Sequence, residues 1–235
     1  MVNIKVNPQA APQIAFVGKD KTPVIIIDDY VSNLDEIINQ VVNNAQFEPE
    51  EVTKYPGVQS SIPKSIVVSY LKPLMKTLYK VYKFSQDLEP TPIDNCFSLI
   101  TQQPNEISAM QSWPHFDTPN PNLIAVLHYL DKGNHGGTAF FQHNKSGIDR
   151  IDAQNKDIYF EHAHEYFSAL NTNSFSYCSE AHSEFTCYQK VAYKPNRLLI
   201  FPGQLLHSTL VDLHTDINDD PSAGRLTANM FVSFA

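Results

Sequence analysis

Apolar residues in the first part of the chain recur at the spacing of amphipathic helices. Asn33 and Glu36 have the spacing of a capping box, and the apolar side chains that follow them fall on one helical stripe. A second helix is predicted from about Pro63 to Phe84, and Pro73 within it should kink it or divide it in two. Two helical segments are therefore expected in the first part of the chain.

From Asn95 onward, short apolar and β-branched runs separated by turn residues predict strands instead. A polar insert over 142–184 interrupts them and contains a predicted helix from about Lys156 to Leu170. Strands at this spacing are typical of an antiparallel barrel or a two-sheet jelly roll, and with helices first they favour an α+β fold. The predicted strands, including three near the start of the chain, are Asn3–Val6, Gln13–Gly18, Val24–Asp28, Cys96–Thr101, Leu123–Leu130, His135–Phe141, Phe185–Tyr193, Arg197–Phe201, Leu205–Val211 and Arg225–Phe234.

No repeat, low-complexity tract or linker composition divides the 235 residues. We expect a single domain over 1–235, which is long enough for a sizeable core. Within it, 1–94 would supply strands and supporting helices, and 95–235 would form the jelly-roll core with 142–184 as an insert.

Charge and composition limit the classes of partner and the cellular compartment that we expect for this chain. The net charge of −8, from 17 basic and 25 acidic residues, argues against nucleic acid or an anionic membrane as a main partner. The longest aliphatic run, Val24 to Ile27, is too short to span a bilayer, and the segment from Met1 to Asp20 lacks the apolar core of a secretion signal. Three cysteines at no zinc-like spacing fit a reducing compartment. We therefore expect a cytoplasmic protein without nucleic-acid or membrane partners.

The stretch from Ser112 to Thr118 carries the first candidate metal ligands. In an extended strand, side chains two residues apart leave from the same face, so His115 and Asp117 are expected to point at one place. A nitrogen and a carboxylate oxygen suit iron(II), manganese(II) or zinc(II), and two histidines with one carboxylate are typical of non-haem iron oxygenases.

A third candidate ligand and a candidate anion site lie downstream. His207 opens a predicted strand after the Pro202-Gly203 turn, which places its imidazole at the mouth of the sheet. Arg225 and Thr227 are expected on one face of the last strand, where a guanidinium beside a hydroxyl suits a carboxylate. Taken alone, His207 is equally compatible with a histidine satisfied at a strand end, and Arg225 with an exposed strand start. The combination of these residues with His115 and Asp117 is a far more specific indication of a metal site beside an anion site.

This order of motifs resembles the iron(II)- and 2-oxoglutarate-dependent dioxygenases, particularly their prolyl-hydroxylase-like branch, over roughly residues 95 to 234. The shared motifs include Tyr129-Leu130, followed after a short turn by the glycine-pair strand Gly136-Gly137-Thr138-Ala139-Phe140. The segments 196–201 and 224–229 further resemble a bacterial family of that superfamily that is known mainly as a domain of unknown function.

The resemblance implies an α+β fold in which N-terminal helices pack on a double-stranded β-helix (jelly-roll) core. It implies that the co-substrate is 2-oxoglutarate, whose distal carboxylate would bind Arg225 with help from Thr227, and it adds Tyr129 to this co-substrate site. The implied activity is hydroxylation of a small molecule, amino acid or peptide by dioxygen. The implied Fe(II) ligands are His115, Asp117 and His207.

Three departures from the prolyl hydroxylases remove any assignment of proline as substrate. Thr138 stands where many of them have Glu, Arg225 stands where they usually have Lys, and the insert lengthens the gap before His207. The alternative is a cupin-like barrel that binds a metal or a small molecule without oxygenase activity. Arg225 and Thr227 discriminate between the two, because a simple binder needs no anchor for 2-oxoglutarate.

Other histidines and the insert have their own expectations. His162 and His164 lie two apart in a predicted helix, where they do not share a face, and are expected at the surface. His128 is expected to pack in the core or support the site, while His135 and His143 are candidates for substrate contact. Trp113 would either wall the pocket or pack in the core. Long insertions between scaffold strands commonly carry recognition, so 142–184 and the 46–62 loop are predicted to cover the metal pocket.

Overall fold

The computed structural model describes residues 3–49, 55–170 and 175–235. Within these ranges the chain forms mostly β-structure, with four α-helices. The helices are α1 (Leu34–Asn44), α2 (Lys64–Leu71), α3 (Met75–Tyr82) and α4 (Lys156–Ala169). The strands are β1 (Gln13–Val17), β2 (Thr22–Ile27), β3 (Glu48–Pro49), β4 (Gly57–Ser61), β5 (Pro90–Ile100), β6 (Leu123–Tyr129), β7 (Thr138–His143), β8 (Phe185–Val191), β9 (Leu198–Pro202), β10 (His207–Thr209) and β11 (Thr227–Phe234).

The strands form two antiparallel sheets of unequal size. The larger sheet has eight strands in the order β1-β2-β9-β6-β11-β5-β4-β3, and the smaller has three in the order β10-β7-β8. Most strands that pair in the larger sheet are far apart in sequence. The chain therefore crosses over repeatedly between one strand of this sheet and the next. Two sheets with helices added are consistent with a jelly-roll type of α+β fold, and the prediction of a strand-rich second part is confirmed to that extent.

The core is divided into three layers around these sheets. Helices α1 to α3 pack on one face of the larger sheet, where Tyr70, Leu78 and Phe234 are among the buried residues. A second cluster joins the two sheets and includes Phe140 of β7 and Phe201 of β9. The third cluster lies under α4 and the rest of the insert. The two sheets therefore face each other, with the helices on the outside of the larger one.

The long helix predicted between Pro63 and Phe84 is divided at its proline, as expected. Helix α2 ends at Leu71, a 3-10 turn spans Lys72–Leu74, and α3 begins at Met75. Pro73 lies in the turn because a proline ring within a helix clashes with the preceding turn and supplies no N–H.

Three local predictions from the sequence are wrong. The capping box before α1 does not form, since the Asn33 Oδ1 atom accepts the Lys5 N–H at 3.0 Å instead of an N–H of the helix. The predicted strand Asn3–Val6 is reduced to one bridge between Val6 and Val31. The last strand begins at Thr227 rather than Arg225, because Leu226 N–H turns back to the Gly224 carbonyl at 2.7 Å.

Candidate functional site

His115 and His207 are held side by side by one backbone bridge. The His115 N–H donates to the His207 carbonyl at 2.9 Å, and the His207 N–H donates to the His115 carbonyl at 2.8 Å. The centroids of the two imidazole rings are 4.3 Å apart. The segment around His115 forms this single bridge and not the regular strand that its spacing predicted. The pairing with β10, and not a continuous strand, therefore orients the first histidine.

Asp117 reaches the same place through a contact with Gly203. Its N–H donates to the Gly203 carbonyl at 2.7 Å. Its Oδ1 atom lies 4.0 Å from His115 Nε2 and 3.8 Å from His207 Nε2. One candidate ligand atom from each of the three residues lies within 4.8 Å of the others, and no second such group of His, Cys, Asp or Glu occurs in the described ranges. The structure thus brings together the three residues selected from the sequence.

Both histidines offer a neutral nitrogen to this point. His207 Nδ1 lies 2.8 Å from the Leu205 carbonyl, which requires Nδ1 to carry the proton and leaves a lone pair on Nε2. Burial lowers the pKa of His207 to about 4, although the bond to Leu205 opposes the shift. Desolvation within the cavity and the neighbouring His207 also lower the pKa of His115 to about 4, against the opposing charge of Asp117, while 57% of its side chain remains exposed. At neutral pH both rings are therefore uncharged and able to act as ligands.

The carboxylate of Asp117 lacks the partners that a buried charge needs. Burial raises the pKa of Asp117 to about 6, with His115 opposing the shift. Its Oδ2 atom is buried and has no hydrogen-bond partner among the residues that the structure describes. A buried carboxylate left in this state is costly unless a cation pairs with it.

The three residues lie in a cavity of about 610 Å³ between the two sheets. This volume is typical of sites for small organic ligands. The same cavity is lined by Arg225 and Thr227, so the candidate metal ligands and the candidate anion site face one space. Its wall on the larger sheet carries polar side chains on three adjacent strands, namely Gln59 of β4, Cys96 of β5, and Thr227 and Asn229 of β11.

Arg225 is buried in this cavity with part of its guanidinium unpaired. Its residue is only 2% exposed, and Nε donates to the Gly136 carbonyl at 2.8 Å. The Nη2 atom is buried and meets no hydrogen-bond acceptor within residues 3–49, 55–170 and 175–235. The guanidinium carbon lies 5.5 Å from the centre of the Tyr129 ring and 5.9 Å from that of Tyr193. Two aromatic rings thus flank a cation whose Nη2 donor has no partner in the described part of the chain.

Thr227 and Tyr129 take different places beside Arg225. Thr227 Oγ1 accepts a hydrogen bond from Asn229 Nδ2 at 3.2 Å, which leaves its own hydroxyl proton for another acceptor. The Tyr129 hydroxyl pairs with Thr138 Oγ1 at 2.7 Å, and its ring stacks on Tyr193. Thr138 lines the cavity whereas Tyr129 does not. Tyr129 therefore contacts Arg225 on the side that faces away from the cavity.

His135 belongs to a buried ion-pair network and does not contact the cavity. Its Nε2 atom lies 2.7 Å from Asp131 Oδ1, and its Nδ1 atom lies 2.9 Å from Asp216 Oδ1. Each ring nitrogen faces an oxygen that only accepts, so the imidazole carries both protons and a positive charge. Burial lowers the pKa of His135, but the hydrogen bonds and charges of Asp216 and Asp131 outweigh it and hold this pKa above its usual value.

Asp216 connects that histidine to Arg225, a role that no local pattern in the sequence indicates. The side chain is fully buried, and its Oδ2 atom lies 3.9 Å from Arg225 Nε. No recognisable motif surrounds Asp216 in the sequence, and its partners His135 and Arg225 come from other segments. Only the fold reveals this role.

The remaining aromatic and histidine predictions have mixed outcomes. His128 packs in the core as expected, between the Tyr70 hydroxyl and the Asn196 side chain. His143 contacts the ring of His162, and neither His143 nor His135 lines the cavity. His162 faces inward and is only partly exposed, contrary to expectation. The buried ring of Trp113 packs among the aromatic residues of the insert, which settles its role as core packing.

The segment 46–62 was predicted to be a loop but contains strands β3 and β4, and this segment and the insert each contribute a tyrosine to the cavity wall. Tyr177 lines the cavity, and its hydroxyl donates to the Gln102 carbonyl at 2.7 Å. Tyr55 lines it from the loop. The segments 50–54 and 171–174 lie outside the described residues, so the prediction that the whole insert and loop cover the pocket stays a prediction.

Comparisons with known proteins identify a family. A model described as "Family of unknown function (DUF6445)" matches residues 8–232. This confirms the resemblance to a family of unknown function that the motifs indicated. No curated protein matches the chain. No helix in the described part of the chain is long and apolar enough to cross a membrane.

Several solved structures are similar at low identity. HygX from Streptomyces hygroscopicus, with nickel and 2-oxoglutarate bound, is 11% identical with a TM-score of 0.47, over 91% of this chain and 84% of that one. AviO1 from Streptomyces viridochromogenes Tue57 is 10% identical with a TM-score of 0.44, over 98% and 90%. An N-substituted L-amino acid dioxygenase from Burkholderia ambifaria AMMD is 11% identical with a TM-score of 0.41, over 96% and 94%. Because these scores are low, function must be argued from the side chains themselves.

Proposed function

The chain belongs to the DUF6445 family of unknown function, and we propose that it is an iron(II)- and 2-oxoglutarate-dependent dioxygenase that hydroxylates a small molecule, amino acid or peptide. The observation that supports this most strongly is the presence, in one cavity, of a two-histidine, one-carboxylate group and a buried arginine with unused donors. The two histidines and the carboxylate are suited to a divalent metal. The arginine is suited to an anion that extends from it toward that metal.

The side chains fit an iron(II) ion by the chemistry of their donors. His115 and His207 supply neutral imidazole nitrogens, and Asp117 supplies a carboxylate that has no cationic partner in the described residues. A dication provides the charge that the buried carboxylate needs, and two nitrogens with one oxygen suit a borderline metal. Three protein ligands leave coordination positions open for co-substrate and dioxygen.

The fit of 2-oxoglutarate is supported by Arg225 and Thr227. The Nη2 atom of Arg225 is buried without an acceptor in the described residues, so a carboxylate that occupies the cavity satisfies a hydrogen-bond donor that is otherwise unpaired. Arg225 Nε donates to the Gly136 carbonyl at 2.8 Å, just before β7, and β7 pairs with β10, which begins at His207. The candidate anion site and the candidate metal ligands therefore lie along one pair of strands, in which two residues correspond to roughly 7 Å. A short dicarboxylate is therefore suited to bridge the arginine and the metal ligands.

When bound, iron(II) and 2-oxoglutarate supply oxidative decarboxylation, in which dioxygen places one oxygen atom in succinate and the other in a substrate C–H bond, with release of carbon dioxide. The contribution of the protein is position and enclosure. Arg225 and Thr227 bind the distal carboxylate, and Tyr129 and Tyr193 fix the arginine plane. Leu123, Phe201 and other apolar residues of the wall keep water from the reacting groups.

The proposal includes the finer description of the fold. We assign the two facing sheets to a double-stranded β-helix, in a single domain over 1–235 whose catalytic core is 95–235. The support for this is that β7 and β10 of the smaller sheet face β6, β9 and β11 of the larger one across the cavity. The metal ligands come from the smaller sheet and the segment that bridges to it.

The decisive test of activity is release of succinate. Protein loaded anaerobically with iron(II) and 2-oxoglutarate is exposed to dioxygen with a panel of amino acids, peptides and sugars, and succinate is quantified against an oxygen-free control. We expect oxygen-dependent succinate from the wild type and from His214→Ala, an exposed histidine that serves as the control. Asp117→Ala and His207→Ala should release none. Metal binding without any succinate would favour the cupin-like binder instead.

A further inference from the structure

We propose that His135, together with Asp131 and Asp216, positions the co-substrate: its charge occupies Asp216 and thereby leaves the Arg225 guanidinium free for the distal carboxylate of 2-oxoglutarate. This inference rests on the proposed function and extends it to residues that do not touch the cavity. The four residues are called the ion-pair network below.

The central carboxylate of the network is saturated by donors other than Arg225. Asp216 accepts His135 Nδ1–H at 2.9 Å, the Asp212 N–H at 2.9 Å and the Gly136 N–H at 3.1 Å. Its distance to Arg225 Nε is 3.9 Å, which is too long for a hydrogen bond. The guanidinium therefore lies beside this carboxylate without being drawn into a close pair.

The charges of the network balance before any ligand binds. Asp131 and Asp216 contribute two negative charges, and His135 and Arg225 contribute two positive charges. Both sides of the His135–Asp216 pair are almost fully buried, so their interaction is weakly screened. If His135 lost its charge, Asp216 would keep an unmatched negative charge beside Arg225. That carboxylate would then compete with 2-oxoglutarate for the same guanidinium.

The network also fixes the backbone that receives Arg225. The Gly136 N–H is bound by Asp216, and the Gly136 carbonyl accepts Arg225 Nε–H at 2.8 Å. A Cβ atom at position 136 would lie 1.5 Å from the Leu210 carbonyl oxygen, so only glycine permits this approach. Residue 136 is thus held on both sides, its N–H by Asp216 and its carbonyl by Arg225, and the orientation of the guanidinium follows from it.

The test compares two keto acids that differ only at the distal end. 2-Oxoglutarate and 2-oxopentanoate share the metal-binding end, but the second has a methyl group in place of the distal carboxylate. Binding of each to nickel(II)-loaded full-length protein is measured by calorimetry for the wild type and for His135→Gln. We expect His135→Gln to bind 2-oxoglutarate about tenfold more weakly and to bind 2-oxopentanoate as the wild type does. The matched control is His128→Gln, a buried histidine on the opposite face of the larger sheet, which should change neither affinity.

A double-mutant cycle separates this role from a merely structural one. In an Arg225→Gln background, replacing His135 should cause no further loss of 2-oxoglutarate affinity, because its effect passes through the arginine. Asp131→Asn, which removes one of the two charges that hold the imidazolium, is the second variant in case His135→Gln does not fold. It should lower 2-oxoglutarate affinity in the same direction.

The outcomes separate this inference from the proposed function. If the wild type binds neither keto acid, the proposed function and this inference both fail. If the wild type prefers 2-oxoglutarate and folded His135→Gln or Asp131→Asn keeps the full preference, the proposed function stands and the role of the network is overturned. Equal weakening of both keto acids would show general damage to the site and would also overturn it.

Discussion

Gly203 accepts the N–H of Asp117 at 2.7 Å and is so close to that residue that a Cβ atom at position 203 would lie 3.2 Å from Asp117 Cβ. The turn residue that the sequence shows before His207 therefore does more than end a strand. It lets the segment carrying the carboxylate approach the segment carrying the second histidine, and this approach sets the distance between Asp117 and His207.

Gly203→Ala should consequently weaken metal binding without unfolding the protein. The added methyl group also meets Leu123 Cδ2 at 2.8 Å, which is the end of a side chain, whereas Asp117 is tied by its backbone hydrogen bond. Displacement of a ligand-orienting contact typically costs about tenfold in metal affinity. Nickel(II) titration by calorimetry measures it, with the thermal unfolding midpoint as the control for folding. Unchanged affinity would show that the carboxylate is positioned by other contacts.

Arg225 should select 2-oxoglutarate by its distal carboxylate. Removing one partner of a buried charge pair costs about 3–5 kcal/mol, so Arg225→Ala should weaken 2-oxoglutarate by roughly two to three orders of magnitude. Arg225→Lys should lose less, because the charge remains while the planar fork is lost. Thr227→Val keeps the shape, deletes one hydroxyl and should cost about 1 kcal/mol.

Apparent 2-oxoglutarate affinity with metal saturating measures all three variants. The expected order of affinity is wild type, Thr227→Val, Arg225→Lys and then Arg225→Ala. Wild-type affinity in Arg225→Ala would place the anchor elsewhere in the cavity and remove the strongest argument against the cupin-like binder.

The ion-pair network should make stability depend on pH with a definite sign. The pKa of His135 is raised in the folded state because hydrogen bonds and charges from Asp216 and Asp131 outweigh its burial. Its contribution to the free energy of unfolding is therefore complete below the unfolded pKa of about 6.5 and is lost as pH rises through the folded pKa. His135→Gln should be destabilised relative to the wild type more at pH 6 than at pH 9, as measured by urea unfolding.

His128 provides the contrasting case. Burial lowers the pKa of His128 to about 4, although hydrogen bonding with Asn196 opposes the shift. Its contribution is present above about pH 6.5 and declines as pH falls toward the folded pKa. His128→Gln should therefore show the opposite trend between pH 5 and pH 8. The same trend in both variants would contradict the assigned charge states.

The insert over 142–184 should become protected when the cavity is filled. Tyr177 lines the cavity wall, and the insert helix contacts the ligand-bearing segment where Phe160 and Phe116 have ring centroids 5.7 Å apart. Limited proteolysis with and without metal and 2-oxoglutarate measures this, with cleavage sites read by mass spectrometry. We expect slower cleavage within the insert in the loaded protein. Identical cleavage in both states would show that the insert does not cover the cavity and is only an addition at the protein surface.

The set of candidate metal ligands was accessible from sequence because its members have short-range signals. His115 and Asp117 are two apart in an extended segment, and His207 follows a recognisable strand and turn. These signals specify the residue types and the local directions of the side chains. The fold then brings the three side chains into one group. The orientation of His115 has a different cause from the one predicted, because a single bridge to His207 orients it and not a regular strand.

Other features depend on contacts between distant segments, which no local pattern records. The capping box failed because Lys5, far away in sequence, supplies the N–H that Asn33 accepts. His135 looked like a residue for substrate contact, and only the folded chain brings Asp216 to its Nδ1 atom. The inward orientation of His162 likewise follows from packing of α4 against His143. Local spacing thus predicted which residues form the candidate ligand group, while tertiary contacts determine what holds them in place.

The most direct test of the central claim is a crystal structure of the protein grown anaerobically with iron(II) and 2-oxoglutarate, with data collected at the iron absorption edge. We predict one anomalous peak bonded to His115 Nε2, His207 Nε2 and a carboxylate oxygen of Asp117, with the distal carboxylate of 2-oxoglutarate on Arg225. An iron peak away from these three residues, or a distal carboxylate bound elsewhere, would contradict the account.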